Sequence, residues 1–522
     1  ILGKAANVDR RSRRPAFLPE VTGDIPFDKG PHSIHYGPMR NVAGQAPLRA
    51  VLMGAGNRGR EVYGAWALAH PDRIRIVAVA DPDPARRAAA ARDHGIPDSL
   101  AFADWRDLAA AGKRGDLEAG ACLVCTQAGI HVGPALAALD SGWNVLLEKP
   151  MATTPEDCAS LVAASEASGL QLRVCHVVRY TPFFSAVKKA LDSGAIGMPV
   201  HIAHSENVSF WHFGHSYVRG AWSRSAESTP VVLAKTCHDL DILYWLSGRP
   251  AERISSFGSL SYYRPENAPA GAPERCSPAC PAWKDCLWNV DALYGSGARI
   301  LATGRRAENP FVRAAAGAAI AGRRALRGIA SALPAPRRLG EGKTWPATAV
   351  SSDLSREGKE SALAAGRYGR CIYACGNDQC DHQVVSIAFE GGLTATMTME
   401  GLSNLDGRYI RIDGSEGTLE GRFTYAGERL ELWSHRGTRK RVLHRAGLSG
   451  DAHGGGDQGL MSSFADSLLR RADAEPLTSA RASLESHLMG FAAERARLEG
   501  RVVAMSELRD GAALLRDRGD TP

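Results

Sequence analysis

The chain has 522 residues, 44% of them hydrophobic and 23% charged, which suits a globular protein of two or three domains. No stretch approaches the roughly 18 to 20 uninterrupted apolar residues that span a bilayer, and no apolar region follows the basic run Arg10–Arg14, so we expect a cytoplasmic protein with no membrane span. The net charge of +7 does not indicate a nucleic-acid-binding protein, because one stretch, Arg299–Arg338, holds nine arginines against one acidic residue and leaves the rest of the chain close to neutral.

The N-terminal third of the chain shows the pattern of an α/β domain. Residues 1–47 are expected to form an irregular leader, and residues 48–176 alternate between strand and helix patterns. After an apolar strand that starts at residue 48, the predicted elements are a helix at 60–70, a strand ending at Asp81, a helix at 84–94, a strand at 121–126, a helix at 132–140, a strand at 144–150, a helix near 155–168 and a strand at 170–176. Such alternation predicts a parallel, doubly wound sheet.

The first predicted strand runs directly into the pattern Gly54-x-Gly56-x-x-Gly59. In dinucleotide-binding domains the first glycine permits a tight turn, the second lets the backbone approach the pyrophosphate, and the third lets the helix pack close to the strand. The next strand ends at Asp81, where a carboxylate would hold the ribose hydroxyls of NAD and repel the 2′-phosphate of NADP. An ordinary βαβ unit with a glycine-rich turn is the alternative, and the context favours NAD.

The second part of the chain has a different pattern of apolar and polar residues. From Val200 onward, long apolar or alternating runs predict a largely antiparallel sheet, with Glu390–Gly392 as a hairpin turn. We expect residues 177–505 to form one α+β domain for substrate binding and oligomerisation, ending in two helices, with a tail at 506–522. A basic Ala/Arg-rich insert at about 297–342 interrupts this domain. It is either an amphipathic helix for a membrane surface, an acidic partner or another subunit, or, as we favour, a solvated surface insertion.

Several motifs follow one another in an order that resembles the glucose-fructose oxidoreductase / inositol dehydrogenase (Gfo/Idh/MocA) family. They are the glycine loop, Asp81, Thr126 with His131, and Glu148-Lys149-Pro150, followed by HVVRYTPFF, ALDSGAIGMPV and KTCHDLDILYWLSG. The resemblance covers most of residues 48–505. It implies an NAD(P)-binding Rossmann domain, a second domain with an open, mostly antiparallel sheet, a sugar, cyclitol or related polyol as substrate, and a homodimer or homotetramer. The cofactor contacts it implies are Gly54, Gly56, Asn57, Arg58, Gly59, Asp81, Thr126, His131, Glu148 and Lys149.

The same resemblance assigns catalytic groups. Oxidation of a secondary alcohol needs a base for the hydroxyl proton and a cation near the forming oxyanion. Lys149 matches the family lysine that contacts substrate and cofactor, and His238 is the candidate base. Relatives commonly carry an aspartate four residues before this histidine, whereas here Ala234 stands there and Lys235 follows. Lys235 would lower the pKa of His238 and keep it neutral, or bind an anionic group of the substrate.

Other polar residues are expected at the substrate by family position, namely Arg179, Tyr180, His212 and Asp241. His212 lies in the segment Trp211–Arg224, which is dense in His, Arg, Tyr and Trp, a mixture that suits a sugar site and equally an interface between domains or subunits. Asp457, after His453 and three glycines, either closes the site or caps the next helix.

Cysteines form a second group of candidates. Cys276, Cys280 and Cys286 lie in an irregular loop at 276–286, and Cys371, Cys375 and Cys380 follow later in the chain. Two thiol-rich loops can hold a structural zinc ion or an iron–sulfur cluster, and buried thiols without a ligand are the equal alternative. The predicted metal ligands are Cys276, Cys280, Cys286 and Cys375.

These features predict an NAD-dependent oxidoreductase acting on a sugar or polyol. An NAD-dependent glycoside hydrolase that oxidises C3 transiently, with no net formation of NADH, is the second hypothesis. The third is a nucleotide-sensing protein without catalytic activity, against which the presence of both Lys149 and His238 argues.

Overall fold

The computed structural model describes residues 46–295, 345–447, 453–470 and 476–513, together with six isolated positions between 305 and 317. Almost all of the predicted leader and of the basic insert therefore lie outside the described residues. Within the described ranges, no helix is long and apolar enough to cross a membrane.

The first sheet has six parallel strands in the order β3-β2-β1-β4-β5-β6. Its strands are β1 (Leu48–Met53), β2 (Ile74–Ala80), β3 (Ala101–Phe102), β4 (Ala121–Val124), β5 (Asn144–Leu147) and β6 (Leu172–Val174). A segment with π-helical hydrogen bonding, Asn57–Gly64, follows β1. The helices that follow are α1 (Ala65–Ala69), α2 (Pro84–His94), α3 (Trp105–Lys113), α4 (Val132–Asp140) and α5 (Pro155–Ser168). This confirms the predicted doubly wound α/β fold.

Local chemistry explains why these helices begin and end where they do. The side chain of Asp83 accepts hydrogen bonds from the first backbone N–H groups of α2, and Thr154 caps α5 in the same way. Gly95 and Gly169 then end these two helices in the left-handed region, at φ of 66° and 67°. The strands between them are apolar and buried on both faces, as a parallel sheet covered by helices requires.

The second sheet has nine strands in the order β14-β13-β12-β11-β7-β10-β9-β8-β15. They are β7 (Pro199–Ser209), β8 (Ala251–Ser259), β9 (His382–Phe389), β10 (Thr394–Ser403), β11 (Gly407–Gly414), β12 (Gly417–Thr424), β13 (Gly427–Ser434), β14 (Lys440–Ala446) and β15 (Val503–Ala504). Only β7 and β10 pair in parallel among these described strands. The predicted mostly antiparallel second sheet is thus confirmed, with Glu390–Gly392 turning β9 into β10.

Helices cover one face of this sheet and connect it to the first. They are α6 (Pro182–Asp192), α7 (Phe210–Phe213), α8 (Val231–Ala234), α9 (Cys237–Ser247), α10 (Ala347–Val350), α11 (Arg356–Ala365), α12 (Gly456–Arg470), α13 (Ala480–Glu499) and α14 (Ser506–Ala513). Helix α13 packs against strand β8 of the second sheet and against helix α9. It also packs against helix α5, which covers the first sheet. The C-terminal part of the chain therefore completes the hydrophobic core of the N-terminal sheet.

Candidate active site

The turn after β1 has the geometry that the three glycines predict. Gly54 has φ of +98°, and a Cβ atom there would lie 2.5 Å from the carbonyl oxygen of Cys125. A Cβ atom on Gly59 would lie 2.0 Å from the carbonyl oxygen of Gly54, whereas one on Gly56 would meet nothing within 4 Å. Two glycines are thus required by the protein itself, while the second faces open space where a bound group can approach the backbone.

Asp81 lies directly after β2 and is buried beside this turn. Its Oδ2 accepts a hydrogen bond from the backbone N–H of Ala55 at 2.7 Å, and its Oδ1 accepts one from Asp83 at 2.9 Å. The carboxylate therefore ties the glycine turn to the end of the neighbouring strand.

Thr126 and His131 lie at the end of β4, next to the glycine turn. The hydroxyl of Thr126 is buried and has no hydrogen-bond partner among the described residues. The ring nitrogens of His131 lie 2.8 Å from the carbonyl oxygen of Pro150 and 3.1 Å from that of Thr126. His131 thus holds two loops together, whereas Thr126 keeps a polar group available beside the turn.

The guanidinium of Arg58, inside the glycine loop, joins the two parts of the chain. Its Nε lies 2.6 Å from Oε1 of Glu148, and its Nη2 lies 2.6 Å from Oδ1 of Asp457 at the start of α12. The hydroxyl of Tyr63 donates to the same oxygen of Glu148 at 2.6 Å, and His453 bonds Asp457 at 2.8 Å. Burial raises the pKa values of both carboxylates, but Arg58 and the other partners more than offset this, so both pKa values are lowered.

Lys149 follows Glu148 and precedes a cis peptide bond to Pro150. Its ammonium group donates to the carbonyl oxygen of Ala234, the last residue of α8, at 2.8 Å. Among the described residues, no carboxylate forms an ion pair with this ammonium group. The positive charge of Lys149 therefore lies next to the start of α9 and remains available to a developing negative charge.

His238 lies in the first turn of α9, only 4% exposed, and its Nδ1 has no hydrogen-bond partner among the described residues. Its ring packs edge-on against His176, with centroids 5.8 Å apart, and lies 6.0 Å from the ring of His453. Burial, followed by the charge of Lys149, lowers the pKa of His238 well below its usual value. The imidazole is therefore held in the neutral form, which can accept a proton.

Lys235 is placed differently from the sequence-based expectation. Its ammonium group lies 2.8 Å from Oε1 of Glu206, whose other oxygen lies 3.0 Å from Arg408. Arg408 also pairs with Asp239 at 2.7 Å. Lys235 therefore belongs to a buried ionic network. The main causes of the lowered pKa of His238 are burial and the charge of Lys149.

Three of the predicted substrate residues lie in the core instead. Arg179 and Asp241 form a two-bond ion pair, with both N–O distances 2.6 Å and side-chain exposures of 3% and 1%. The hydroxyl of the buried Tyr180 lies 3.1 Å from that of Thr478. These side chains bind each other and the C-terminal segment and thereby hold α9 against the core. Their assignment to the substrate stays a prediction.

His212, the fourth predicted substrate residue, lies on α7 and bonds Asp406 through Nδ1 at 2.8 Å. Burial raises the pKa of Asp406, but the charge and hydrogen bond of His212, together with Lys235 and Ser209, more than offset it and lower the pKa to about 2. The ring of His212 packs edge-on against Trp345, with centroids 4.9 Å apart. The pair is part of an aromatic cluster beside the second sheet.

One residue of this region carries no local signal in the sequence. His487 of α13 is buried, accepts the backbone N–H of Met151 at 2.8 Å through Nε2, and bonds the carbonyl oxygen of Ser483 at 2.8 Å through Nδ1. It fixes the loop that carries Lys149. Nothing in the surrounding helix sequence identifies it, because its partner lies far away in the chain.

The predicted cysteine ligands do not stand as one preformed metal site. Among the described residues, the structure shows no group of three or more His, Cys, Asp or Glu side chains placed to hold a metal ion. Cys375 donates its thiol hydrogen to the carbonyl oxygen of Cys371 at 3.1 Å. Cys276, Cys280 and Cys286 instead line a small cavity together with Cys371.

Comparison with known proteins agrees with this geometry. Residues 48–176 match the family described as "Oxidoreductase family, NAD-binding Rossmann fold" (GFO_IDH_MocA). The chain is 36% identical over 178 residues to inositol 2-dehydrogenase of Burkholderia multivorans, which covers 33% of this chain and 47% of that enzyme. The chain thus spans about half the length of this curated relative.

Solved structures are similar over most of the described fold. An oxidoreductase from Agrobacterium radiobacter, in complex with NAD+, L-tartaric acid and magnesium, has a TM-score of 0.56 at 17% identity, covering 89% of this chain and 100% of its own. The WlbA dehydrogenase from Bordetella pertussis, in complex with NADH and UDP-GlcNAcA, has a TM-score of 0.56 at 18% identity, covering 88% and 98%. At such identities the similarity shows the fold alone.

Proposed function

We propose that the protein is an NAD-dependent oxidoreductase. Its residues 48–176 match the NAD-binding Rossmann domains of the Gfo/Idh/MocA oxidoreductase family. It acts on a secondary hydroxyl or keto group of a sugar, cyclitol or sugar derivative. One observation carries the proposal: the ammonium group of Lys149, which forms no ion pair among the described residues, lies close enough to the buried imidazole of His238 to lower its pKa. The named substrate of the similar inositol 2-dehydrogenase is a cyclitol, which supports this substrate class.

The residues of the chain divide the chemistry between them. A bound nicotinamide would accept or donate the hydride. Lys149 would donate a hydrogen bond to the reacting oxygen and stabilise the negative charge that develops on it. His238 would take the hydroxyl proton during oxidation and return it during reduction. Its lowered pKa favours the proton-free form near neutral pH, so oxidation does not have to wait for deprotonation of the base.

The glycine turn fits a dinucleotide, since the space that a Cβ atom of Gly56 would fill is open. The backbone of Thr126 lies against Gly54, and its buried hydroxyl has no hydrogen-bond partner among the described residues. We infer NAD rather than NADP. The carboxylate of Asp81 ends β2 where the adenosine ribose lies in such domains, and it would repel a 2′-phosphate. Arg58 is held by Glu148 and Asp457, so its charge is already compensated.

Self-association through the second sheet fits the exposed side chains of its outer face. Phe257 of β8 is 73% exposed beside Val384 of β9, and Tyr409 and Trp433 are also exposed on their strands. Large exposed hydrophobic side chains on one open sheet face are typical of a surface that another protein covers. We infer that a second copy of the chain covers it.

The test is a screen for NAD reduction over sugars, cyclitols, sugar acids and glycosides, followed by two substitutions. His238→Asn should lower kcat/KM by about 10²- to 10⁴-fold, the range for loss of a general base, and leave NADH affinity unchanged. Lys149→Met should lower kcat by a similar factor because the oxyanion loses its cation. NADH binding is measured by nicotinamide fluorescence.

His201→Asn is the matched control, since His201 lies on the second sheet and bonds Thr394. It should keep full activity. An unchanged kcat/KM in His238→Asn would remove the base assignment, and a flat NADH titration of the wild type would remove the cofactor. Release of an aglycone from a glycoside without net NADH would favour the transient-oxidation hydrolase instead.

A further inference from the structure

A small cavity lies between the loop that carries Cys276, Cys280 and Cys286 and the segment that begins at Cys371. Its volume is about 20 Å³. The four cysteines line it together with apolar side chains and the guanidinium of Arg219. A space of this size holds one or two water-sized spheres, so it has room for a single ion and none for an iron–sulfur cluster.

The backbone brings these distant thiols together. The N–H of Cys276 donates to the carbonyl oxygen of Gly369 at 2.8 Å, and the N–H of Cys371 donates to that of Glu274 at 2.7 Å. The two hydrogen bonds frame an antiparallel bridge between Arg275 and Arg370. The bridge therefore places Cys276 and Cys371 on two neighbouring extended segments. Cys375 lies one turn of the chain beyond Cys371.

Arg219 gives an independent indication of a negative charge at this place. It is 2% exposed, and its guanidinium donates to the carbonyl oxygens of Arg370 at 2.9 Å and Trp288 at 3.0 Å. No carboxylate of the described residues forms an ion pair with it. A buried guanidinium without a counter-ion is strongly unfavourable, and buried charges in proteins are normally paired. Thiolates on the cavity wall would supply the missing negative charge.

We propose that Cys276, Cys280, Cys286 and Cys371 bind one divalent zinc-like cation as a closed structural site, with Arg219 as its counter-ion. Four thiolates and one divalent cation carry a net charge of −2, which Arg219 offsets in part. Four protein ligands leave no open position, so the site is structural rather than catalytic. Its ligand set differs from the sequence-based one by Cys371 in place of Cys375. Because no described group of side chains already stands in metal-ligating positions, the thiols turn towards the cavity when the ion binds.

The experiment uses the full chain, purified without chelator from zinc-supplemented medium, and measures metal content. We expect one zinc ion per chain in the wild type and in Cys375→Ser, and at least about a tenfold loss in Cys371→Ser. Cys375→Ser is a stringent control because it makes the same change on the same segment. Absence of zinc from the wild type would overturn the proposal, as would loss of zinc in Cys375→Ser with retention in Cys371→Ser.

A second measurement covers the case in which Cys371→Ser does not fold. The wild-type chain is alkylated under native conditions before and after zinc is removed with a chelator, and modified peptides are identified by mass spectrometry. Zinc should protect Cys276, Cys280, Cys286 and Cys371 and leave the modification of Cys375 unchanged. Equal alkylation with and without zinc would overturn the site. Iron with acid-labile sulfide would overturn the assignment to a single ion.

Discussion

Gly56→Ala separates cofactor binding from folding more cleanly than any other change at the glycine turn. Gly56 has φ of −74° and ψ of −163°, extended backbone that alanine adopts without strain. Its new Cβ atom would meet nothing within 4 Å in the protein. The free energy of unfolding should therefore change by no more than about 1 kcal/mol, with a small gain from the reduced entropy of the unfolded chain.

The same methyl group would stand where the pyrophosphate of a dinucleotide must approach the backbone. We expect the Kd for NADH to rise at least about tenfold, which corresponds to about 1.4 kcal/mol. Urea unfolding measures stability, and fluorescence titration with NADH measures affinity. A Gly56→Ala protein that binds NADH as tightly as the wild type would refute the proposed position of the cofactor.

Gly59→Ala is the matched comparison. Its Cβ atom would lie 2.0 Å from the carbonyl oxygen of Gly54, so the turn must open by more than 1 Å to restore van der Waals contact. Forcing extra atoms into packed structure costs about 1–3 kcal/mol. This variant should lose stability as well as NADH affinity. Equal stability of the two variants would contradict the close packing of the helix on β1.

Two further predictions concern the buried charges. Asp241→Ala should lower the free energy of unfolding by about 3–5 kcal/mol in urea titrations, because Arg179 is left buried without its partner. Unchanged stability with a raised KM would contradict this and would support a contact between Asp241 and the substrate. Stability should also fall below about pH 6.5, because five buried histidines have lowered pKa values. In the unfolded chain they take up protons near their ordinary pKa, which favours unfolding by up to about 1.4 kcal/mol for each histidine and pH unit. Urea midpoints measured between about pH 5 and 7 check this, and a constant midpoint would contradict it. These histidines are His131, His176, His215, His238 and His487.

The sequence predicts most of the first sheet because its signals are local. Helix α2 has the predicted bounds, since Asp83 caps it and Gly95 ends it within the same stretch. The strand β3 was missed because its two residues carry no periodicity. Helix α3, which follows it, was missed as well. Strands β4 to β6 are shorter than predicted, since they end at Val124, Leu147 and Val174 rather than at residues 126, 150 and 176. Helix α14 adds an ordered element to the predicted tail.

The candidate site was predictable only where family position and local motif coincide. Gly54, Gly59 and Lys149 lie where the motif places them. The ion pair of Arg179 with Asp241 was not predictable, because it forms only when α9 folds against the core. Their assignment to the substrate stays a prediction. The pairing of Lys235 with Glu206 likewise needs β7 beside α8, which no local pattern reports. The choice between Cys371 and Cys375 depends on the bridge at Arg275 and Arg370, a contact across distant segments.

The ion pairs of Arg58 bear on whether the part of the chain that forms the first sheet can stand alone. Arg58 belongs to the nucleotide-binding half, Asp457 comes from the C-terminal part of the chain, and Glu148 precedes the lysine proposed for catalysis. A recombinant fragment limited to residues 48–176 would keep the glycine motif and leave Arg58 without Asp457. Joining residues 48–176 to another second domain would therefore leave Arg58 with Glu148 alone, unless that domain carried an acidic residue at the position of Asp457.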